Sequence, residues 1–131
     1  MKKLITFICI LFISGCTQNN ETHSDIITSF YPLYDLTQAI VKDEFSVKNI
    51  QPLSQEVHDF EPSSKDLIAL ENAKLLIVHG AHLEGWLESA LENTKNESLK
   101  VLVLSDSITM DGSDVHTWLS IDNMKVYAEE I

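Results

Sequence analysis

Two kinds of apolar pattern alternate along this chain: short continuous runs, and residues spaced three or four positions apart. Four short apolar runs predict β-strands: residues 26–30, 45–50, 75–78 and 101–104. Between and after these runs, apolar positions three or four residues apart predict helices. The helices are expected to begin near Pro32, Ser63, Leu83 and Met124. This alternation of strand and helix favours an α/β fold with a parallel four-stranded sheet flanked by helices on both faces.

The first sixteen residues have the pattern of an export signal. Two lysines precede an apolar run, residues 4–13, which is too short to cross a bilayer that needs roughly 20 residues. The run ends in Ile-Ser-Gly-Cys, which is typical of a lipobox and predicts lipidation of Cys16. An ordinary secretory signal with a chance cysteine is the alternative. Residues 17–24 are polar and aperiodic, and we expect a flexible tether there.

Composition narrows the classes of function. The chain has twenty acidic residues, nine basic ones and a formal net charge of −11. Such a surface repels nucleic acid, which is bound through clustered Lys and Arg. The two cysteines are Cys9 and Cys16, so a chain processed at Cys16 would keep no free thiol and no disulfide.

Two of the five histidines stand in loops where an open α/β sheet would bind a ligand. His58 and His116 both follow predicted strands, and ligands of such sheets bind beyond the carboxyl ends of the strands. Zinc takes about four neutral imidazole or carboxylate ligands. Acidic residues near the two histidines are candidates to hold the second ring nitrogen: Asp59, Glu61 and Asp114. Spacing alone leaves open that both histidines are ordinary surface residues.

Four motifs occur in an order that resembles one known family. They are residues 29–34 (SFYPLY), 58–63 (HDFEPS), 80–87 (GAHLEGWL) and 114–120 (DVHTWLS). Together they resemble the N-terminal half of the zinc- and manganese-specific solute-binding proteins of ABC importers. The likeness covers nearly all of the chain after Cys16.

The resemblance implies a fold of two α/β lobes with the metal between them. It implies that His58 and His116 bind the metal and that a second lobe supplies the other two ligands. On this reading residues 25–120 are the N-terminal lobe, and residues 121–131 begin the helix that links the lobes. The helical pattern runs to Ile131 without a stop signal, so we expect a fragment whose C-terminal lobe is absent.

The resemblance also implies a function. The protein would bind a metal ion on the extracytoplasmic face of the cell membrane or in the periplasm, and deliver it to the permease of an ABC importer without catalysis. The Phe30-Tyr31-Pro32 opening is more similar to the zinc-type members, so Zn²⁺ is expected, with Mn²⁺ as the alternative. The lipid on Cys16 would provide the membrane contact.

Some positions depart from the family pattern, and other readings stay open. Val115 replaces the usual proline before the second ligand, and His79 stands where asparagine is common. His79 and His82 are therefore kept as possible metal ligands or cleft-lining residues. The alternative functions are a manganese-specific binding protein, an adhesin-like lipoprotein, or a truncated non-functional remnant. A zinc hydrolase is disfavoured because no metal-plus-base motif of known spacing is present.

Overall fold

The computed structural model describes residues 24–110 and 112–131. The strands are Ile26–Thr28 (β1), Val47–Asn49 (β2), Leu75–Val78 (β3) and Lys100–Val103 (β4). The helices are Tyr31–Val41 (α1), Ser64–Asn72 (α2), Leu87–Asn93 (α3) and Ile121–Glu130 (α4). In this part of the chain no helix is both long and apolar enough to cross a bilayer. The predicted signal segment, Cys16 and all but the last residue of the predicted tether lie outside the described residues.

The strands form one parallel sheet in the order β2-β1-β3-β4. The predicted α/β class with a parallel four-stranded sheet is therefore confirmed. The central strands β1 and β3 pair directly, with Ile26 opposite Leu75. The chain leaves β1 toward β2 and later crosses back to β3, so the direction of winding reverses between the two central strands. At such a reversal the loops beyond the carboxyl ends of the strands separate and leave room for a ligand.

Two apolar clusters cover the two faces of the sheet. Leu70 of α2 and Ala90 of α3 belong to the cluster on one face, and Leu33 of α1 and Tyr127 of α4 belong to the cluster on the other. Alternate residues of β3 serve both, because side chains of a strand point to opposite faces. The edge strand β4 is only partly buried, and its first residue, Lys100, is exposed.

The helix starts that border the site follow the sequence signals. Pro32 lies in the first turn of α1, where its missing N–H costs nothing. Ser63 caps α2 in a reciprocal capping box with Asp66. Burial acts to raise the pKa of Asp66, but the hydrogen bonds from Ser63 and Lys48 outweigh burial and hold this pKa below its ordinary value.

Helix α3 begins four residues later than its apolar spacing predicts. The helix was expected from Leu83 but starts at Leu87. Ahead of it, Gly80, Ala81 and His82 all have positive φ, which interrupts any regular helix. A side chain at Gly80 would collide with Val103 and Ser105. Leu83 is nevertheless buried, so its apolar character reflects packing of the turn against the core.

Candidate metal-binding site

The structure brings His58 and His116 together from distant parts of the sequence. His58 lies in a short 3-10 turn after β2, and His116 directly precedes another such turn after β4. Their ring centroids are 5.6 Å apart, with the ring planes at 69°. Two imidazoles bound to one tetrahedral zinc through nitrogens at about 2.0–2.1 Å place their centroids roughly 5 Å apart. Both side chains are exposed, so an ion can reach them from solvent.

Asp114 fixes one nitrogen of the His116 ring. Its Oδ1 atom lies 2.7 Å from His116 Nδ1 and also accepts the His116 backbone N–H at 3.0 Å. These two hydrogen bonds lower the pKa of Asp114 below its ordinary value. When Nδ1 carries the proton for this bond, the lone pair on Nε2 is available to a metal. The sequence offered three acidic residues as partners for the histidine rings. In the structure, Asp114 is the one that contacts a ring.

In the part of the chain that the structure describes, the His58 ring has no comparable partner. Among the described residues, no hydrogen bond joins its ring to Asp59 or Glu61. Its turn is instead capped by Glu56, whose side chain accepts the Val57 N–H at 2.9 Å. Phe60, two residues later, is buried and packs edge-to-face on Trp86 at 6.0 Å. The position of His58 is therefore set by its backbone and by two apolar neighbours, Phe60 and the partly buried Val57.

An aromatic layer lies beneath His116 and separates it from His79. The Trp118 ring lies 5.1 Å from the His116 ring and 5.0 Å from the His79 ring, measured between centroids. His79 is fully buried, and burial is the main cause that lowers its pKa. Within the described residues, the Nδ1 atom of His79 makes no hydrogen bond of good geometry. The nearby Val115 backbone acts in the opposite direction to burial and raises the pKa of the ring. His79 is thus a residue of the floor beneath the site.

His82 lies apart from this layer, on the turn before α3. It is exposed and has a φ of 64°. In residues 24–110 and 112–131, no group of three or more His, Cys, Asp or Glu side chains is arranged to hold a metal ion. The structure therefore joins His58 and His116 as a pair but adds neither His79 nor His82 to a set of three ligands.

Glu84 is a buried carboxylate for which the sequence alone predicts no role. Its Oε1 accepts the Ser29 hydroxyl at 2.6 Å and the His79 N–H at 2.8 Å, and its Oε2 accepts the Gly80 N–H at 2.9 Å. The side chain thereby ties the carboxyl ends of the two central strands together, since Ser29 follows β1 and His79 follows β3. One signal in the sequence could have revealed this role of Glu84. It is a carboxylate that interrupts the apolar pattern of residues 83–91 shortly after a glycine.

Comparison with protein families gives one match that spans the described fold. Residues 26–131 match the model of the ZnuA family, described as zinc-uptake complex component A periplasmic. The matched range includes His58, Asp114 and His116.

Individual relatives differ in the metal that they are named for. The chain is 32% identical to a manganese-binding lipoprotein, MntA, of Halalkalibacterium halodurans, over all of this chain and 48% of the relative. It is 33% identical to the high-affinity zinc uptake system protein ZnuA of Bacillus subtilis, over 63% of this chain and 28% of the relative. The chain thus spans about half the length, or less, of these curated relatives.

A solved structure supports the same fold. The crystal structure of the AdcAII protein of Streptococcus pneumoniae is 35% identical to this chain and superposes with a TM-score of 0.70. The superposition covers 82% of this chain and 42% of that one. The fold described above is therefore shared with about two fifths of that structure.

Proposed function

Because this chain belongs to the family of zinc-uptake complex component A periplasmic proteins, we propose that it captures a divalent metal ion outside the cytoplasm and passes it to the permease of an ABC importer. Capture requires ligands for the ion but no chemical conversion, so the proposed protein is a carrier and not an enzyme. The metal is its cargo.

One observation carries the proposal: two imidazoles meet at the carboxyl edge of the sheet. The His58 and His116 ring centroids are 5.6 Å apart, close to the separation that one tetrahedral ion requires. The bond from Asp114 supports Nε2 of His116 as the atom that binds the ion. In this proposal His58 and His116 supply half of a four-ligand site, and a second lobe supplies the rest.

We propose zinc as the cargo and manganese as the alternative. Imidazole nitrogen is a good ligand for zinc, whereas manganese favours sites richer in oxygen. The half-site contributed by this chain is made of nitrogen ligands. The two curated relatives are named for different metals and do not favour either one. The choice of zinc therefore rests on the nitrogen ligands of His58 and His116.

We also propose that a lipid on Cys16 holds the protein at the extracytoplasmic face of the membrane. The support is the lipobox pattern in the sequence. Labelling of cells with radioactive palmitate should mark the wild-type chain and leave Cys16→Ala unlabelled. Equal labelling of both would rule out this anchor.

The metal site is tested by titrating zinc into the purified chain by isothermal calorimetry. His58→Ala and His116→Ala should each weaken binding by about tenfold or more, which is ~1.4 kcal/mol or more. His82→Ala is the matched control, because it removes an exposed histidine outside the pair and should leave the affinity unchanged. Unchanged affinity in both His58→Ala and His116→Ala would overturn the proposed site.

The same titration tests the half-site and the choice of metal. With two protein ligands, zinc should bind the chain alone more weakly than a site of four protein ligands. Tight one-to-one binding that withstands His58→Ala would contradict the half-site. Stronger binding of manganese than of zinc would favour the alternative cargo.

A further inference from the structure

Thr117 directly follows the proposed ligand His116, and its side chain points toward the core. Its Oγ1 lies 2.7 Å from Tyr127 Oη and 3.4 Å from His79 Nε2. Both partners are fully buried, with 0% of each residue exposed. The hydroxyl of the buried Tyr127 needs a hydrogen-bond partner, and the partly buried Thr117 supplies one.

The backbone of Thr117 is held as well. Its carbonyl oxygen accepts a hydrogen bond from the Asn123 side chain at 3.1 Å and another from the Ser120 N–H at 3.2 Å. Its N–H donates to the Val115 carbonyl at 2.8 Å. The residue next to the exposed His116 ring is therefore tied to helix α4 through both its side chain and its main chain.

The other partner of Thr117 is anchored to the sheet. The His79 N–H donates to Glu84, which also holds Ser29 at the end of β1. Tyr127 belongs to α4, and burial raises the pKa of its hydroxyl, so the hydroxyl keeps its proton at neutral pH. A continuous set of contacts thus leads from the two central strands through Thr117 to α4.

We propose that Thr117 is a positioning residue that orients His116 for the metal by joining His79 and Tyr127. The inference rests on the proposed metal-binding function. The carboxylate of Asp114 sets the rotation of the ring, and Thr117 sets the place of the backbone from which the ring projects. Neither action requires Thr117 to touch the ion.

The test compares zinc affinity with the stability of the metal-free protein in three variants. Thr117→Val keeps the shape of the side chain and removes the hydroxyl, so we expect zinc to bind about tenfold more weakly. Thr117→Ser restores the hydroxyl and should return the affinity to within about twofold of wild type. Tyr127→Phe removes the other partner and should weaken binding in the same direction.

A double variant tests whether the hydroxyls of Thr117 and Tyr127 act together. If the two hydroxyls act together, Thr117→Val with Tyr127→Phe should bind zinc about as weakly as Thr117→Val alone. Wild-type affinity in Thr117→Val or in Tyr127→Phe would overturn the inference. Thr117→Ser binding as weakly as Thr117→Val would also overturn it, because loss of packing would then explain the effect.

The outcome is distinguishable from failure of the metal site itself. If His58→Ala and His116→Ala weaken zinc binding while Thr117→Val does not, only the role of Thr117 fails. If none of these substitutions changes the affinity, the proposed function and this inference fail together. A Thr117→Val variant that does not fold leaves the decision to Tyr127→Phe and Thr117→Ser.

Discussion

The two loops that carry His58 and His116 reach the same place but are held in different ways. The His116 loop has a carboxylate on the histidine ring and, through Thr117, contacts with two fully buried side chains. In the His58 loop, polar contacts run between neighbours in the loop, as when Gln51 donates to the Gln55 carbonyl at 2.8 Å. One side of the site is therefore held to the core by hydrogen bonds, and the other is attached to it through the apolar side chains of Val57 and Phe60.

Because of this difference, we expect the two histidines to have different roles when a metal ion binds. A ring already oriented by a hydrogen bond loses little freedom when it binds an ion, whereas a ring without one must be ordered at that moment. His116 should therefore define the position of the metal. His58 should adapt to it, which would suit the proposed role of a carrier that releases its ion.

The largest effect is expected at the apolar attachment of the His58 loop. Phe60→Ala empties a buried position against Trp86 and should lower the free energy of unfolding by about 3–5 kcal/mol. Urea unfolding followed by tryptophan fluorescence measures this change. Leu53→Ala is the control in the same loop, because Leu53 is 77% exposed and should change stability by less than about 0.5 kcal/mol. A loss below about 1 kcal/mol for Phe60→Ala would mean that Val57 and the loop's polar contacts hold it instead.

The next effect tests the orientation of the rings. Asp114→Ala removes the partner of His116 Nδ1 and should weaken zinc binding by about 10- to 100-fold. Asp59→Ala is the matched change beside His58 and should have little effect, since no hydrogen bond joins Asp59 to the His58 ring in the described chain. Calorimetric titration of both variants decides the matter. Equal losses would remove the distinction between an oriented and an adaptable histidine.

Much of the fold was predictable from sequence because local signals and packing agree. The apolar run of β3 was predicted to the residue, and Ser63 and Pro32 marked the starts of α2 and α1 correctly. The predicted start of α3 was wrong, because Leu83 and Trp86 have helical spacing but are buried in the turn before the helix. Periodicity reports which side chains are buried, and it cannot distinguish a helix from a turn that buries the same residues.

The site was predictable only in part, for a related reason. The family resemblance implied that His58 and His116 would lie together, and the structure brings their ring centroids to 5.6 Å. It could not choose Asp114 over the other nearby acids, because the choice depends on the turn that directs Oδ1 at the ring. The contacts of Thr117 with His79 and Tyr127 join three segments that are separate in the sequence. Such contacts produce no short-range sequence pattern from which they could be predicted.

A smaller effect compares the helices that follow the two loops. Ser63 caps α2 in a reciprocal box with Asp66, whereas Ser120 caps α4 through one long bond of 3.4 Å from the Asn123 N–H. Ser63→Ala should therefore cost about 1 kcal/mol of stability, and Ser120→Ala about 0.5 kcal/mol. Urea unfolding of both variants measures the difference. The reverse order would show that local capping matters more after the His116 loop.

The smallest effect is the pH dependence of the Ser63 cap. Hydrogen bonds from Ser63 and Lys48 outweigh burial and hold the pKa of Asp66 below its ordinary value of 3.8. A carboxyl with a lowered folded-state pKa contributes stability that is present above the unfolded-state pKa and is lost as pH falls through the folded-state pKa.

Ser63→Ala removes one source of that lowering, so the deficit of the variant should be constant above about pH 5 and should shrink below about pH 4. It should not vanish, because the bond from the Asp66 N–H to the Ser63 hydroxyl does not depend on the charge of the carboxyl. Urea unfolding of wild type and variant at about pH 7, 5, 4 and 3 tests this. A deficit that stays level down to about pH 3 would mean that the charge of Asp66 adds nothing to the cap. The start of α2 would then be held as simply as the start of α4.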